Sequence, residues 1–259
     1  MKKIFSLVVL LIIMIATQQA YSQCTVSVAA SPATICQGSS STITATGSGS
    51  INNYVWSTGE SGPTMTSITK FPVVNTTYTV TVTGPFGCNA TASATVTVVS
   101  AGSITITPSG PTTVCQGTWV LMNASAADTH QWYRNGVLIP GATNNAYSDT
   151  LPGNYMDMGS IGPCTNIMSN IIVVTVNQLP TATFTPNVDG ADCPGSVTPL
   201  VANSAPGYTY QWFISINDAG PYNPIPGATG QSFTPTMTGD WYYRLQVTDA
   251  NMCVNVSYY

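Results

Sequence analysis

The residues of this chain that have the chemistry for a functional site are one histidine, two close aspartates and seven cysteines. His130 is a candidate general base, but no nucleophile-elbow motif accompanies it and no second histidine is present. Asp189 and Asp192 are too few for Ca²⁺, which takes roughly six to eight oxygen ligands. The sequence therefore predicts no catalytic residue, no metal site and no cofactor.

The spacing of the cysteines shows that the chain contains sequence repeats. An early cysteine recurs about every 80 residues, a tryptophan follows each one, and a late cysteine closes each repeat. The early cysteines are Cys36, Cys115 and Cys193, and the late cysteines are Cys88, Cys164 and Cys253. Because each repeat has one of each kind, we expect the pairs to form within repeats. The predicted disulfides are Cys36–Cys88, Cys115–Cys164 and Cys193–Cys253.

Each predicted disulfide closes a long loop and contributes about 4 kcal/mol by the chain-entropy estimate. Cys24 is left over. It is expected to stay free, to be capped, or to pair with another chain. Lipidation of Cys24 is disfavoured, because a lipobox needs a small residue before the cysteine and Gln23 stands there.

The first 22 residues have the pattern of an export signal. Lys2 and Lys3 precede an apolar run over residues 4–16, and Ala20 and Ser22 are the small residues of a cleavage site. The run is short for a membrane span, and no other segment is apolar enough to cross. We expect the mature chain to begin at Gln23, to be secreted or displayed on the cell surface, and to have no membrane span after cleavage.

The composition excludes a nucleic-acid partner. The whole chain has five Lys and Arg against nine Asp and Glu, and removal of Lys2 and Lys3 with the signal makes the mature chain still more acidic. Phosphate-backbone binding needs clustered cations, which this chain lacks. Only 5% of the residues are charged, so Ser, Thr and Asn must supply the polar surface.

The remaining sequence has the pattern of an all-β protein. Residues 77–83 and 94–98 alternate with a period of two, residues 171–176 are a β-branched run, and Gly, Pro and Asn separate such segments. We predict three β-sandwich domains, over residues 23–100, 101–178 and 179–259, behind the signal peptide at 1–22. The third is expected to be truncated at its C-terminal end, because little chain follows Cys253.

The second and third repeats resemble immunoglobulin-like domains. Their shared motifs are Gln131-Trp132-Tyr133 and Gln211-Trp212-Phe213, Pro140-Gly141-Ala142-Thr143 and Pro226-Gly227-Ala228-Thr229, and Gly153-Asn154-Tyr155 and Gly239-Asp240-Trp241. The first repeat, with Tyr54-Val55-Trp56, is similar to the Ig-like or PKD-like repeats of bacterial surface proteins exported by type IX secretion, including gliding-associated adhesins. The resemblance implies tandem Ig-like sandwiches with an adhesive role.

The resemblance also implies which aromatic residues are structural. A tryptophan packs across the sandwich in this family, and the tyrosine or tryptophan of the Gly-x-aromatic motif lies near it. The expected core residues are Trp56, Trp132, Trp212, Tyr78, Tyr155 and Trp241. His130 precedes its tryptophan by two residues, as Tyr54 and Tyr210 do, so we interpret it as a structural residue.

The second repeat has an outward apolar pair and an inward acid. Strand alternation turns Trp119 and Leu121 outward, where they are candidate ligand-binding residues, although burial at a domain junction is the alternative. The same alternation turns Asp157 inward, and we expect a β-bulge to carry it out and to bring Met156 and Met158 in.

The favoured function is a structural or adhesive surface module without enzymatic activity, part of a larger surface protein, whose partner is an unidentified surface protein or glycan. The alternative is a carbohydrate- or protein-binding accessory region of a larger secreted enzyme, for which outward aromatic residues such as Trp119, Tyr133, Phe213 and Tyr222 argue. Fold resemblance alone does not decide between them.

Overall fold

The structure is a computed structural model that describes residues 24–186, 198–236 and 241–258. The predicted signal peptide, Asp189, Asp192 and Cys193 lie outside the described residues. The described residues fold into strands, turns and one short 3₁₀ turn at Pro85–Gly87. The strands form three Ig-like β-sandwiches in tandem, here called sandwiches 1, 2 and 3, so the predicted fold class is confirmed.

Sandwich 1 consists of eight strands in two sheets. The strands are β1 Thr25–Ser31, β2 Thr34–Cys36, β3 Ser41–Ser48, β4 Asn53–Trp56, β5 Ser61–Gly62, β6 Ser67–Lys70, β7 Thr76–Thr83 and β8 Asn89–Val99. One sheet has the order β1-β3-β6 and the other β2-β8-β7-β4-β5. Alternation along β7 buries Tyr78, Val80 and Val82 between the sheets and turns the intervening threonines outward.

Sandwich 2 repeats this arrangement with nine strands. The strands are β9 Ile106–Pro108, β10 Thr113–Cys115, β11 Val120–Ala124, β12 Thr129–Arg134, β13 Val137–Leu138, β14 Ala146–Asp149, β15 Gly153–Ile161, β16 Cys164–Met168 and β17 Ile172–Asn177. The sheets have the orders β14-β11-β9 and β10-β17-β15-β12-β13, and β16 also pairs with β15.

Sandwich 3 is described with seven strands. They are β18 Phe184–Thr185, β19 Leu200–Ala202, β20 Thr209–Ser215, β21 Asn223–Pro224, β22 Ser232–Phe233, β23 Tyr242–Thr248 and β24 Val254–Tyr258. Its sheets have the orders β18-β19-β22 and β21-β20-β23-β24.

Each sandwich is built around its tryptophan. Trp56, Trp132 and Trp212 are at most 2% exposed. Their indole N–H groups donate to the backbone carbonyls of Met65, Asn144 and Gly230, at 2.8–2.9 Å. A buried indole needs such an acceptor, because its single donor otherwise loses its hydrogen bond to water. Tyr78 and Tyr155 are also buried, whereas Trp241 is half-buried and packs against the edge of the sandwich 3 core.

A short strand that carries the early cysteine lies at the same place in sandwiches 1 and 2. Strand β2 pairs in parallel with the end of β8, so that Cys36 lies opposite Val99. Strand β10 pairs in parallel with β17, so that Cys115 lies opposite Asn177. In these two repeats the early cysteine is therefore at the end of the sandwich where the last strand leaves it.

The disulfides of the structure are Cys24–Cys88, Cys36–Cys164 and Cys115–Cys253, with Cα–Cα distances of 5.4, 4.9 and 5.5 Å. The predicted pairing within each repeat is therefore wrong. Two of the three bonds join the early cysteine of one repeat to the late cysteine of the next. Cys24, which had no predicted partner, takes the late cysteine of its own repeat.

The geometry of a strand explains the correction. Cys88 stands just before β8 begins, and Cys36 lies opposite Val99 at its end. Eleven residues of strand separate these two ends, which corresponds to about 36 Å at about 3.3 Å per residue. A disulfide spans at most about 7 Å between Cα atoms. The bond Cys36–Cys88 is thus impossible in this fold.

The chain contacts define two compact units. Unit 1 contains the described residues up to Ile104 together with Ala126–His130 and Met158–Ser169. Unit 2 contains Thr105–Ser125, Gln131–Asp157 and the described residues from Asn170 onward. The bonds of Cys24 and Cys36 lie within unit 1 and that of Cys115 within unit 2, so each unit includes one disulfide that connects successive repeats.

Candidate functional site

Trp119 and Leu121 lie on the outside of sandwich 2, as strand alternation predicts. Trp119 is 68% exposed and Leu121 44%, whereas the intervening Val120 and the following Met122 are buried. Trp119 immediately precedes β11, after the turn in which the Thr118 N–H donates to the Cys115 carbonyl. The disulfide of Cys115 therefore anchors the turn that presents this indole.

Another apolar side chain is exposed at the same end of sandwich 2. Val120 pairs with Asp149, which places Trp119 beside the segment that leads to Leu151. Leu151 is 48% exposed. This end of the sandwich thus offers aromatic and aliphatic contact area from Trp119, Leu121 and Leu151.

Asp149 organises the polar network of sandwich 2. Its carboxylate accepts hydrogen bonds from Arg134 at 3.2 Å, from Tyr147 at 3.2 Å and from Tyr155 at 2.9 Å. It also accepts from the backbone N–H groups of Thr150 and Leu151. The Tyr155 hydroxyl lies within 2.8 Å of the Leu151 carbonyl as well. This contact, four residues upstream, is the tyrosine corner of an Ig-like sandwich.

Burial and hydrogen bonding act in opposite directions on this network. Burial raises the pKa of Asp149, but hydrogen bonds from Tyr155, the Thr150 and Leu151 N–H groups and Tyr147 outweigh it, so that the pKa lies below its ordinary value. Burial and the Asp149 charge raise the pKa of Tyr155 well above that of free tyrosine. A charged Asp149 beside a protonated Tyr155 ties strand to turn and is a structural arrangement.

Asp157 corrects another expectation. The side chain is fully buried, and its Oδ1 accepts a hydrogen bond from the Gln131 N–H at 3.0 Å. The predicted bulge at this position is wrong, since Met156 and Met158 are only half-buried and β15 alternates regularly through Asp157. The register of β15 shifts later, between Gly159 and Ile161. A backbone donor compensates for burial of the acid, so no bulge is needed.

His130 lies on β12, next to the residue whose N–H bonds Asp157. His130 is half-buried in the slot that Tyr54 and Tyr210 occupy in the other sandwiches. Within the described ranges, no group of three or more His, Cys, Asp and Glu side chains is placed to hold a metal ion.

An arginine surrounded by aromatic rings lies on the outer face of sandwich 3. The Arg244 guanidinium carbon is 4.1 Å from the centre of the Phe213 ring, 5.4 Å from Tyr222 and 5.9 Å from Tyr258. Strand register explains the cluster, because Arg244 lies opposite both Phe213 and Tyr258. Arg244 covers a face of Phe213, which therefore is not an open platform for a sugar ring.

Arg244 differs from the other two described cations. Lys70 pairs with Glu60 and Arg134 pairs with Asp149, whereas Arg244 forms no ion pair with any residue that the structure describes. Its Nε is buried and lacks a hydrogen-bond partner there. The sequence identified Phe213 and Tyr222 as outward aromatic residues but did not identify the arginine between them. Only the pairing of neighbouring strands shows that this arginine lies beside the rings.

Hydroxyl groups cover both outer faces of sandwich 1. Cross-strand hydroxyl pairs form between Thr25 and Ser48 at 2.7 Å on one sheet and between Thr77 and Thr95 at 2.8 Å on the other. Thr42–Thr69 and Thr81–Thr91 are further pairs. Such pairs stabilise a sheet modestly while keeping its surface wet without charge.

Among the helical segments of the described chain, none has the length and apolar character needed to cross a membrane.

The match to a protein family covers one part of the chain. A family model described as "Domain of unknown function (DUF8696)" matches residues 185–258, which is most of sandwich 3. No curated protein matches the chain at a significant level.

Several solved structures match the chain at low sequence identity and low TM-score. The three N-terminal domains of the highly immunogenic outer capsid protein (Hoc) of bacteriophage RB49 are 14% identical, with a TM-score of 0.37 over 91% of this chain and 97% of that one. A structure from a 1.5-MDa bacterial ice-binding adhesin is 14% identical, with a TM-score of 0.40 over 92% and 96%. The eight N-terminal Ig domains of the Down syndrome cell adhesion molecule are 15% identical, with a TM-score of 0.39 over 92% and 36%.

Proposed function

We propose that this chain is a secreted or cell-surface structural and adhesive module, made of Ig-like domains over residues 23–100, 101–178 and 179–259 behind a signal peptide at 1–22. Type IX export, as in gliding-associated adhesins, fits the resemblance of its repeats. The observation that carries the proposal is the set of disulfides that bond successive repeats to each other. Disulfides form and persist outside the cytosol.

The polar residues support a module without chemistry of its own. Asp149 supports a turn, Asp157 caps a backbone N–H and His130 fills a tyrosine slot. Each of these side chains has a structural role in the strands around it.

The test is adhesion of cells that display the protein. Residues 23–259 are displayed on a non-adherent bacterium, and retention under shear flow is measured on cellulose, on chitin and on a layer of the same protein. We expect the displayed chain to increase retention on at least one surface relative to cells without it. Folded, displayed protein that gives no retention on any of the three surfaces would contradict the adhesive role. Hydrolase activity that a His130→Ala substitution abolishes would contradict the absence of enzymatic chemistry.

The exposure of Trp119 and Leu121 favours a second function, a carbohydrate- or protein-binding accessory region of a larger secreted enzyme. An exposed indole on a rigid strand end can stack on a sugar ring at low entropic cost. Trp119→Ala then abolishes retention of the purified protein on the polysaccharide it binds, and Leu121→Ala weakens it. Unchanged retention of the Trp119→Ala protein rules out this site.

A further inference from the structure

The disulfides overlap along the chain. The bond Cys24–Cys88 closes a loop that contains β1 to β7, and Cys115–Cys253 closes a loop that contains β11 to β23. The bond Cys36–Cys164 begins inside the first loop and ends inside the second. A covalent path from Cys24 to Cys253 can cross each outer loop through its disulfide. Between these two disulfides the path must follow the backbone from Cys88 to Cys115, a segment that contains β8, β9 and β10.

We propose that these staggered disulfides make the chain a tether whose maximum length is set by a short covalent path. A load applied at the two ends passes from Cys24 to Cys88 through one disulfide, along the backbone to Cys115, and on to Cys253 through another. Most of the three sandwiches lies outside this load path. The biological use of such a tether rests on the proposed function, because an adhesive or structural module transmits force between a surface and its partner.

The covalent path gives the size of the effect. From Cys88 to Cys115 there are about 27 residues, which reach about 97 Å when fully extended. With the two disulfides, whose Cα atoms are 5.4 and 5.5 Å apart, the limit between Cys24 and Cys253 is about 110 Å. Without disulfides the same two residues are separated by about 230 residues of chain, or about 820 Å.

The pairing pattern, and not the number of disulfides, sets this limit. Three bonds within repeats, at Cys36–Cys88, Cys115–Cys164 and Cys193–Cys253, leave about 68 residues on the load path and a limit of about 260 Å. A bond between successive repeats removes more chain from the path, because it also bypasses the connection between them.

The experiment is single-molecule force spectroscopy on residues 23–259 held by handles at both ends. The contour length between Cys24 and Cys253 is measured in oxidised protein and again in dithiothreitol. We expect about 110 Å in the oxidised protein and about 820 Å after reduction. An oxidised length of about 260 Å or more overturns the proposal.

Two variants are expected to change the maximum Cys24–Cys253 length by different amounts. If one variant fails to fold, the other still tests the proposal. Removal of one outer bond by Cys115→Ser with Cys253→Ser is expected to lengthen the oxidised path to about 370 Å. Removal of the other by Cys24→Ser with Cys88→Ser is expected to give about 230 Å. Cys193→Ser is the matched control, since Cys193 takes part in none of the three bonds, and it is expected to leave the length at about 110 Å.

The force measurement and the adhesion test can refute the tether proposal and the adhesive role independently. A chain that extends beyond the limit but still retains cells is an adhesive module without the tether property. A chain that keeps the limit but retains no cells is a tether whose adhesive role is refuted.

Discussion

The tryptophans of this protein show how the environment of one residue type decides its role. Trp132 is fully buried, donates its N–H to a backbone carbonyl and lies 5.7 Å from the Tyr147 ring. Trp119 precedes it by one strand and a turn and is mostly exposed. Strand alternation distinguishes the two in the sequence, because inward and outward positions differ by one residue.

These two tryptophans give a matched pair of substitutions. Trp132→Ala is expected to lower the unfolding free energy by about 3–5 kcal/mol, because it leaves a cavity and an unpaired Asn144 carbonyl. Trp119→Ala is expected to change it by at most about 0.5 kcal/mol. Urea denaturation of the oxidised proteins measures both. A large loss from Trp119→Ala would mean that its indole packs in solution against another part of the chain.

The lowered pKa of Asp149 predicts that sandwich 2 loses stability in acid. Its pKa is lower in the folded protein than in the unfolded chain, so the unfolded chain takes up the proton first. The stabilisation is therefore present above the unfolded pKa of about 4 and is lost as the pH falls through the folded value. In Asp149→Asn we expect this part of the acid destabilisation to disappear, with the difference from wild type shrinking below about pH 4.

Thermal unfolding of both proteins between about pH 7 and pH 2.5 checks the expectation. The Lys70 ion pair and the Thr58 hydroxyl lower the pKa of Glu60 to about 2, so this residue contributes in the same direction to both proteins. A constant difference between the two proteins over the whole pH range would contradict the role assigned to Asp149.

The short strands β2 and β10 determine which cysteines can bond to each other. Each is only three residues long, yet its parallel pairing with the last strand of the sandwich places the early cysteine far from the late cysteine of the same repeat. Non-reducing peptide mapping tests this assignment directly. We expect linked peptides that contain Cys36 with Cys164 and Cys115 with Cys253, and a peptide that joins Cys36 to Cys88 would refute it.

Strand β15 contains a glycine at a position where the structure leaves no room for a side chain. A Cβ at Gly159 would lie 2.0 Å from the Thr129 carbonyl oxygen and 3.0 Å from Ile104 Cδ1. Gly159→Ala is therefore expected to destabilise the protein by about 1–3 kcal/mol through overpacking. Gly110→Ala is the control, because nothing lies within 4 Å of a Cβ there. Equal midpoints of the two variants in urea would show that the close approach to Thr129 is absent.

The sequence predicts the elements better than their connections. Alternation identifies β7 and its buried residues. The repeated Gln-Trp motif marks β12 and β20, where the Gln131 and Gln211 side-chain amides donate hydrogen bonds to the backbone carbonyls of Ile139 and Ile225. Spacing could not predict the disulfides, because it does not show at which end of the sandwich each cysteine lies. The hydrogen bond that accommodates Asp157 and the rings around Arg244 likewise depend on neighbours in other strands.

The protein combines three small hydrophobic cores with disulfides that overlap from one repeat to the next. Each core alone is limited by the size of its sandwich, since small domains bury a smaller share of their surface. Bonds between successive repeats also restrict the unfolded chain through long loops, with sequence separations of 128 and 138 residues. Reduction is therefore expected to lower the thermal midpoint of the whole described chain and not of one sandwich alone.

The paired hydroxyls on both faces of sandwich 1 have a consequence for ionic strength. Salt screens charges, with a Debye length that falls from about 30 Å at 0.01 M to about 3 Å at 1 M. A surface hydrated by Thr and Ser has few charges to screen, and Lys70–Glu60 is the ion pair that the structure describes in this sandwich. The folded state of sandwich 1 should therefore depend little on charge screening, from dilute fresh water to brine.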